Sequence, residues 1–282
     1  MPFMKNRSIT QVVSEHDVAV FTDNLQPGFY QVNFSLEQGY ILSDTAGWRL
    51  PKKIYGDVEN RVERIMRTFE DRPHGTGILL SGEKGSGKTL LAKLLALEGL
   101  ARGMPVILVT APHHGDGFNR FIQSINQPAV VIFDEFEKVY DADQHEDMLT
   151  LLDGVYPTKK LFILTCNEQN INDNMLNRPG RIFYHFSYGG VDEKFIRDYC
   201  GDNLKDKDKA ESIVASTILF NAFNFDMLKA VVEEINRYGE TPKEALGYLN
   251  MAPDTDAGYY ELKVEHKKGK AIAEYHPVTW NG

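Results

Sequence analysis

The chain is poor in cysteine: Cys166 and Cys200 are the only two in 282 residues. Their spacing provides neither a disulfide framework nor a zinc-ligand set, which leaves reduced thiols in a cytoplasmic protein as the expectation. Long apolar runs are missing as well. No stretch approaches the length of a membrane span, and the N-terminus carries no continuous apolar signal segment, so no membrane partner is expected. Basic residues are in deficit, with 31 Lys and Arg against 40 Asp and Glu and a formal net charge of −9. Proteins that wrap nucleic acid present a basic face. The overall balance disfavours that class, although a local basic channel is compatible with an acidic whole. Lys205-Asp206-Lys207-Asp208-Lys209 alternates in sign and reads as a solvated helix start. Internal repeats and low-complexity tracts are absent. His145-Glu146 is not followed by a second histidine at metalloprotease spacing, which removes that reading.

Against these absences stands one complete motif. Gly82-Glu83-Lys84-Gly85-Ser86-Gly87-Lys88-Thr89 is a phosphate-binding loop, in which glycines let successive backbone N–H groups turn toward a phosphate at a helix N-terminus. Lys88 is expected to reach the outer phosphates and the Thr89 hydroxyl to ligate Mg²⁺. The motif requires a buried strand before it and a helix after it. Gly77 to Ser81 is a short apolar run. From Thr89 to Ala101 leucine recurs at Leu90, Leu91, Leu94, Leu95 and Leu97, which is helical spacing. The implied ligand is a nucleoside triphosphate with Mg²⁺, contacted by residues Glu83 to Leu90.

The rest of the chain alternates strand and helix around that loop. Residues 1–50 lean toward β, with strand-like runs at Val18–Phe21, Gly28–Phe34 and Tyr40–Leu42 separated by turn signals. Leu50-Pro51 reads as a boundary, and Asp57 to Phe69 as a helix. Apolar runs at Val106–Val109, Val130–Phe133, Leu161–Thr165 and Ile182–Phe186 join Ile78–Ser81. Such runs suit parallel strands covered on both faces. The predicted fold is α/β, a doubly wound five-stranded parallel sheet over residues 51–188. Past Gly190 the strands stop, and helices are expected at Asp192–Cys200, Ala210–Leu219, Phe225–Tyr238 and Pro242–Leu249, forming a helical lid over 189–250. Thr241, Pro242 and Glu244 form a capping-box start for the last. Residues 251–282 read as a tail with a β-hairpin between Tyr259 and His276.

Strand Val130–Phe133 ends in Asp134-Glu135. Beside a phosphate-binding loop, a carboxylate there suits Mg²⁺, and its neighbour suits orienting or deprotonating a water. Two acids in that place also commonly cap a following helix. Thr165-Cys166-Asn167 ends another core strand, and Asn167 there suits either contact with a γ-phosphate or a plain turn. Arg178-Pro179-Gly180-Arg181 sets two arginines around a tight turn before the last strand. Arginines so placed are either generic surface or reach a neighbouring subunit's nucleotide. His113-His114 reads as two polar residues in an exposed loop, with substrate gripping or metal binding as alternatives.

Taken together, these motifs resemble the AAA+ ATPases, specifically the classical AAA clade. Gly82–Thr89 is similar to Walker A, Val130–Glu135 to Walker B, and Asn167 to sensor 1. Residues 173 to 181, ending Leu176-Asn177-Arg178-Pro179-Gly180-Arg181, are similar to that clade's arginine-finger signature, and Leu151 to Val155 to its L-L-x-x-L-D-G segment. The likeness covers residues 52–250. It implies a homo-oligomeric ring, commonly a hexamer, with ATP at each junction. Lys88, Thr89, Asp134, Glu135 and Asn167 would act in cis and Arg178 and Arg181 in trans. Tyr55-Gly56 falls where the family contacts adenine.

The sequence departs from the pattern in three places. Glu83-Lys84 replaces the usual loop residues. Asp226 stands where many AAA+ proteins carry a sensor-2 arginine, an arginine the classical clade also lacks. The loop Ala111 to Gly117 has no aromatic where unfoldases of the family carry one, and the short helix after it resembles the Bcs1-like branch. The whole is similar to the minimal AAA+ proteins of phages and bacteria. The expected work is remodelling of an unidentified protein partner. A nucleic-acid motor or loader and a slow ATP-gated scaffold are the alternatives.

Overall fold

The computed structural model describes residues 3–6, 9–12, 21–22, 24–140, 148–153, 159–167 and 178–251. Residues 18–20, 145–146, 154–155 and 173–177 and the expected C-terminal hairpin lie outside them.

Thr76–Gly82 (β6), Ala129–Phe133 (β8) and Lys160–Cys166 (β9) are buried at every position, as central parallel strands with both faces covered must be. With Val106–Val109 (β7) and Ile182–Tyr188 (β10) they form a parallel core in the order β10-β6-β9-β8-β7. These are the five strands expected from sequence.

The sheet is nonetheless larger than five strands. Phe29–Ser35 (β4) pairs in parallel with β7, Phe29 opposite Val106 and Gln31 opposite Leu108. Gly39–Asp44 (β5) then pairs antiparallel with β4. Ile9–Val12 (β2), Phe3–Asn6 (β1) and Phe21–Thr22 (β3) complete a ten-stranded sheet. The β-leaning N-terminal segment therefore continues the core sheet.

Alternation along each strand divides the core into two layers. Val131, Phe133 and Leu164 face Phe118, Phe121 and Ile122 of helix α3 (Gly115–Ser124) and Leu149 and Leu152 of a helical stretch at 148–152 (α5). Val130, Ile132 and Ile163 face the other way. They meet Ile65, Met66 and Phe69 of α1 (Val58–Asp71) and Leu91 and Leu95 of α2 (Lys88–Ala101). Full burial of each such side chain contributes about 1.5–3 kcal/mol. α3 starts earlier than the sequence suggests, because its first turn, Gly115-Asp116-Gly117, has loop composition. Lys160, 1% exposed at the start of β9, donates to the carbonyls of Ile125 (2.8 Å) and Gln127 (2.9 Å) and ties that strand to the segment leaving α3.

Beyond β10, helices α6 (Glu193–Asn203), α7 (Ala210–Ser216), α8 (Phe225–Tyr238) and α9 (Pro242–Tyr248) enclose a separate apolar cluster built on Ile196, Cys200, Ile213, Leu228, Val232 and Ala245. Their limits follow from local chemistry. Asp192 caps α6 by accepting from Phe195 N, and Asn224 caps α8 by accepting from Met227 N. Gly239, at φ 72°, closes α8 in the left-handed conformation. Thr241 and Glu244 form the capping box expected at α9. The Lys-Asp run becomes a single 3-10 turn, Lys207–Lys209. Among the described residues no helix is long and apolar enough to cross a membrane.

Candidate nucleotide site

Three neighbouring strands deliver the candidate residues to one end of the sheet. The phosphate-binding loop leaves β6, Asp134-Glu135 leaves β8, and Asn167 leaves β9, which lies between them. In open α/β sheets, ligands bind outside such carboxyl ends.

The loop has the backbone it needs. Gly82, Gly85 and Gly87 have φ values of 130°, 79° and 100°, which side chains rarely adopt. Lys88, 5% exposed as the first residue of α2, donates to the carbonyls of Gly82 (2.6 Å) and Glu83 (2.7 Å). Burial pushes its ammonium below the ordinary lysine value, opposed in part by Glu137, Cys166, Asp134 and Glu135. The Ser86 hydroxyl is buried without a protein partner, while Thr89 is exposed at the helix start. Leu90 N bonds to Gly87 O at 3.0 Å as part of the first turn. A buried orphan hydroxyl, a lysine and left-handed glycines at a helix N-terminus fit a polyphosphate, and Thr89 with Asp134 supplies oxygen donors that fit Mg²⁺.

The acids are held by a network that sequence reading reached only in part. Glu135 adopts φ 50°, the one positive φ on a non-glycine among the described residues. That conformation costs roughly 1–2 kcal/mol. Glu135 precedes a short helix, α4 (Phe136–Val139), but makes no side-chain cap bond. The capping alternative is therefore absent for this residue. Lys138 Nζ lies 2.7 Å from Glu135 Oε1, and Asn167 Nδ2 donates to Glu135 Oε1 (3.3 Å) and Glu137 Oε1 (2.8 Å). The Lys138 bond, with Asn167 assisting against desolvation, holds the Glu135 carboxyl below the usual range. Thr165 accepts from Glu135 N at 2.9 Å and donates to Asp134 Oδ1 at 2.6 Å. Thr165, Glu137 and Lys138 were not singled out from sequence. A hydroxyl two residues before Asn167, on the strand beside the acids, was the available signal.

The outlying candidates take different positions. Arg178 is exposed, and its carbonyl accepts from Arg181 N (2.9 Å) and Ile182 N (3.1 Å), closing the turn into β10. Arg181 forks onto Asp153, with Nη2 2.7 Å from Oδ2 and Nε on Oδ1. Tyr55 docks on the helical cluster. Its ring meets Tyr199 edge-on at 5.2 Å, and its hydroxyl donates to Asp202 Oδ2 (2.9 Å) and accepts from Asn203 Nδ2 (2.9 Å). Gly56, at φ 80°, passes close to Phe195. Asp226, in the first turn of α8, approaches the loop so closely that a Cβ on Gly85 would lie 2.7 Å from its Oδ2. His113 is not simply exposed. Its ring packs edge-on against Tyr40 at 5.4 Å, and burial lowers its pKa. No group of three or more His, Cys, Asp or Glu able to hold a metal occurs among the described residues.

A glycine-lined loop opening a helix, with acids at the end of a parallel strand nearby, defines a P-loop nucleotide-binding protein. Within that class, residues 78–189 match the family described as ATPases associated with various cellular activities. The chain is 29% identical over 236 residues to the ATP-dependent zinc metalloprotease FTSH 6, chloroplastic, of Arabidopsis thaliana, covering 72% of this chain and 33% of that protein. It is 34% identical over 128 residues to Protein mac-1 of Caenorhabditis elegans, covering 38% and 15%. To the peroxisomal ATPase PEX1 of Homo sapiens it is 31% identical over 131 residues, covering 38% and 10%. It thus spans a third or less of the length of these relatives. A chain in the structure of the E. coli MS115-1 HORMA:CdnC:Trip13 complex shares the fold, with TM-score 0.52 and 11% identity over 71% of this chain and 90% of that one.

Proposed function

We propose that this chain hydrolyses ATP with Mg²⁺ in a homo-oligomeric ring and uses the cycle to remodel a protein partner. The observation that supports this most directly is the meeting of Lys88, Asp134, Glu135 and Asn167 at three adjacent strand ends. A lysine ammonium has three hydrogens. Lys88 uses two on its own loop, and the third is assigned to the outer phosphates. Residues Glu83 to Leu90 enclose the phosphates, with Tyr55 and Gly56 bordering the base. Thr89 and Asp134 hold Mg²⁺, which when bound neutralises phosphate charge. Glu135, kept ionised by Lys138, takes the proton of the attacking water, and Asn167 orients it. Arg178 and Arg181 serve the neighbouring subunit's site. The net charge of −9 favours a protein over a nucleic acid as the remodelled partner.

The test is Glu135→Gln in the full chain, with phosphate release and binding of a fluorescent ATP analogue both measured. Turnover is expected to fall at least a hundredfold with analogue affinity retained, the scale of losing a general base. Wild-type turnover in that variant removes Glu135 from its role. Light scattering with and without ATP tests the ring, and an ATP-independent monomer overturns it.

A further inference from the structure

Strand β9 touches both halves of the site. Leu80 of β6 stands in register with Thr165, and on the opposite side Phe133 of β8 stands in register with Leu164. Thr165 is 2% exposed, so solvent does not compete for its hydroxyl. That hydroxyl lies 2.9 Å from Glu135 N and 2.6 Å from Asp134 Oδ1. The direction of each bond is fixed by chemistry: an amide N–H can only donate and a carboxylate can only accept. The single hydroxyl proton therefore points at Asp134, and a lone pair receives the Glu135 N–H. One side chain thus fixes a carboxylate orientation and the backbone of the adjacent acid, at the one non-glycine residue with positive φ among those described.

We propose that Thr165 is a positioning residue for ATP hydrolysis, holding the Mg²⁺-side acid Asp134 and the water-side acid Glu135 in a fixed mutual geometry. The inference rests on the roles assigned to those acids above. Thr165 holds Oδ1 of Asp134, so loss of the hydroxyl frees the carboxylate to rotate. Glu135 at the same time loses its amide anchor. Both effects act on groups that surround the reaction, and neither acts on the loop that holds the phosphates.

Thr165→Val removes both bonds and keeps the β-branched shape, while Thr165→Ser keeps the hydroxyl and removes only a methyl. Three quantities are measured beside Glu135→Gln: kcat and KM for phosphate release, the Mg²⁺ concentration for half-activation, and fluorescent ATP analogue affinity in Mg²⁺ and in EDTA. In Thr165→Val, kcat is expected to fall about tenfold to a hundredfold, as when a ligand's supporting hydrogen bond is lost. Half-activation moves to higher Mg²⁺, and the part of the analogue's affinity that depends on Mg²⁺ shrinks. Affinity in EDTA stays within about twofold, and Thr165→Ser recovers most of the rate. Should Thr165→Val fail to fold, Thr165→Ala against Thr165→Ser decides on the same measurements. Wild-type kcat and Mg²⁺ dependence in Thr165→Val, with Glu135→Gln inactive, overturns the positioning role alone. Equal losses in the Val and Ser variants assign the effect to packing of the methyl and also overturn it. Wild-type turnover in Glu135→Gln takes down the acid assignment, and this inference with it.

Discussion

Asp153 grips Arg181 along one edge of the guanidinium, Nη2 2.7 Å from Oδ2 and Nε on Oδ1, while Arg178 stands exposed at the start of the same turn. A two-point fork of this kind fixes direction as well as distance. The two arginines are therefore presented differently, one tethered within its own chain and one exposed.

Removing the exposed arginine is expected to lower the rate without loosening nucleotide binding. Arginine fingers supply on the order of 10³–10⁵ in rate. In the proposed ring, Arg178→Ala mixed with Lys88→Ala should recover part of the activity, each variant supplying what the other lacks at a shared junction. Activity that only dilutes linearly on mixing, in a phosphate-release assay, speaks against catalysis across subunits.

The loop glycines should rank by what a Cβ would meet. On Gly82 it would overlap the Tyr188 carbonyl oxygen, which is backbone and cannot swing aside. On Gly85 it would press the Asp226 carboxylate, a flexible side-chain end, and on Gly87 it would meet open space. All three keep a backbone cost on the order of 1–3 kcal/mol for a side chain at positive φ. Alanine variants are expected to lose melting temperature in the order Gly82, Gly85, Gly87. A Gly87→Ala variant less stable than Gly82→Ala contradicts this path of the loop.

Lys160 should leave a signature in alkaline stability. Burial lowers its pKa to about 8 from the ordinary 10.5. Below pH 8 it is charged in both states, and the folded state bears the desolvation cost. Between the two values the folded lysine has lost its proton and the unfolded one has not, so stability rises with pH across that window. The gain is on the order of 3 kcal/mol. Lys160→Met should lose this rise in urea unfolding at pH 7.5 and 10, beyond any uniform loss from leaving the Ile125 and Gln127 carbonyls unpaired. An identical pH slope in variant and wild type refutes the assignment.

Legibility in the sequence followed how local the determining physics is. The apolar run Val130–Phe133 and the α9 capping box declare themselves within a few residues; the run stands as β8, which begins one residue earlier at Ala129, and the box is present. The parallel pairing of Phe29 with Val106 joins positions far apart in the chain. The alternating burial of β4 is equally that of a free-standing antiparallel hairpin, so its place in the sheet could not be read locally. Thr165 passed as an ordinary β-former because its partners lie on another strand. The charge of Lys160 stood at the head of an apolar run, and its two carbonyl partners emerge only when α3 is folded against β9.

The seam between β4 and β7 bears on where this protein can be shortened. Trimming at residue 50, the natural cut from sequence, strips the neighbour from Val106–Val109. An apolar strand would then stand at the margin with its amides and carbonyls bare, the geometry that recruits other chains into aggregates. Residues 29–35 thus carry a protective duty toward the parallel core.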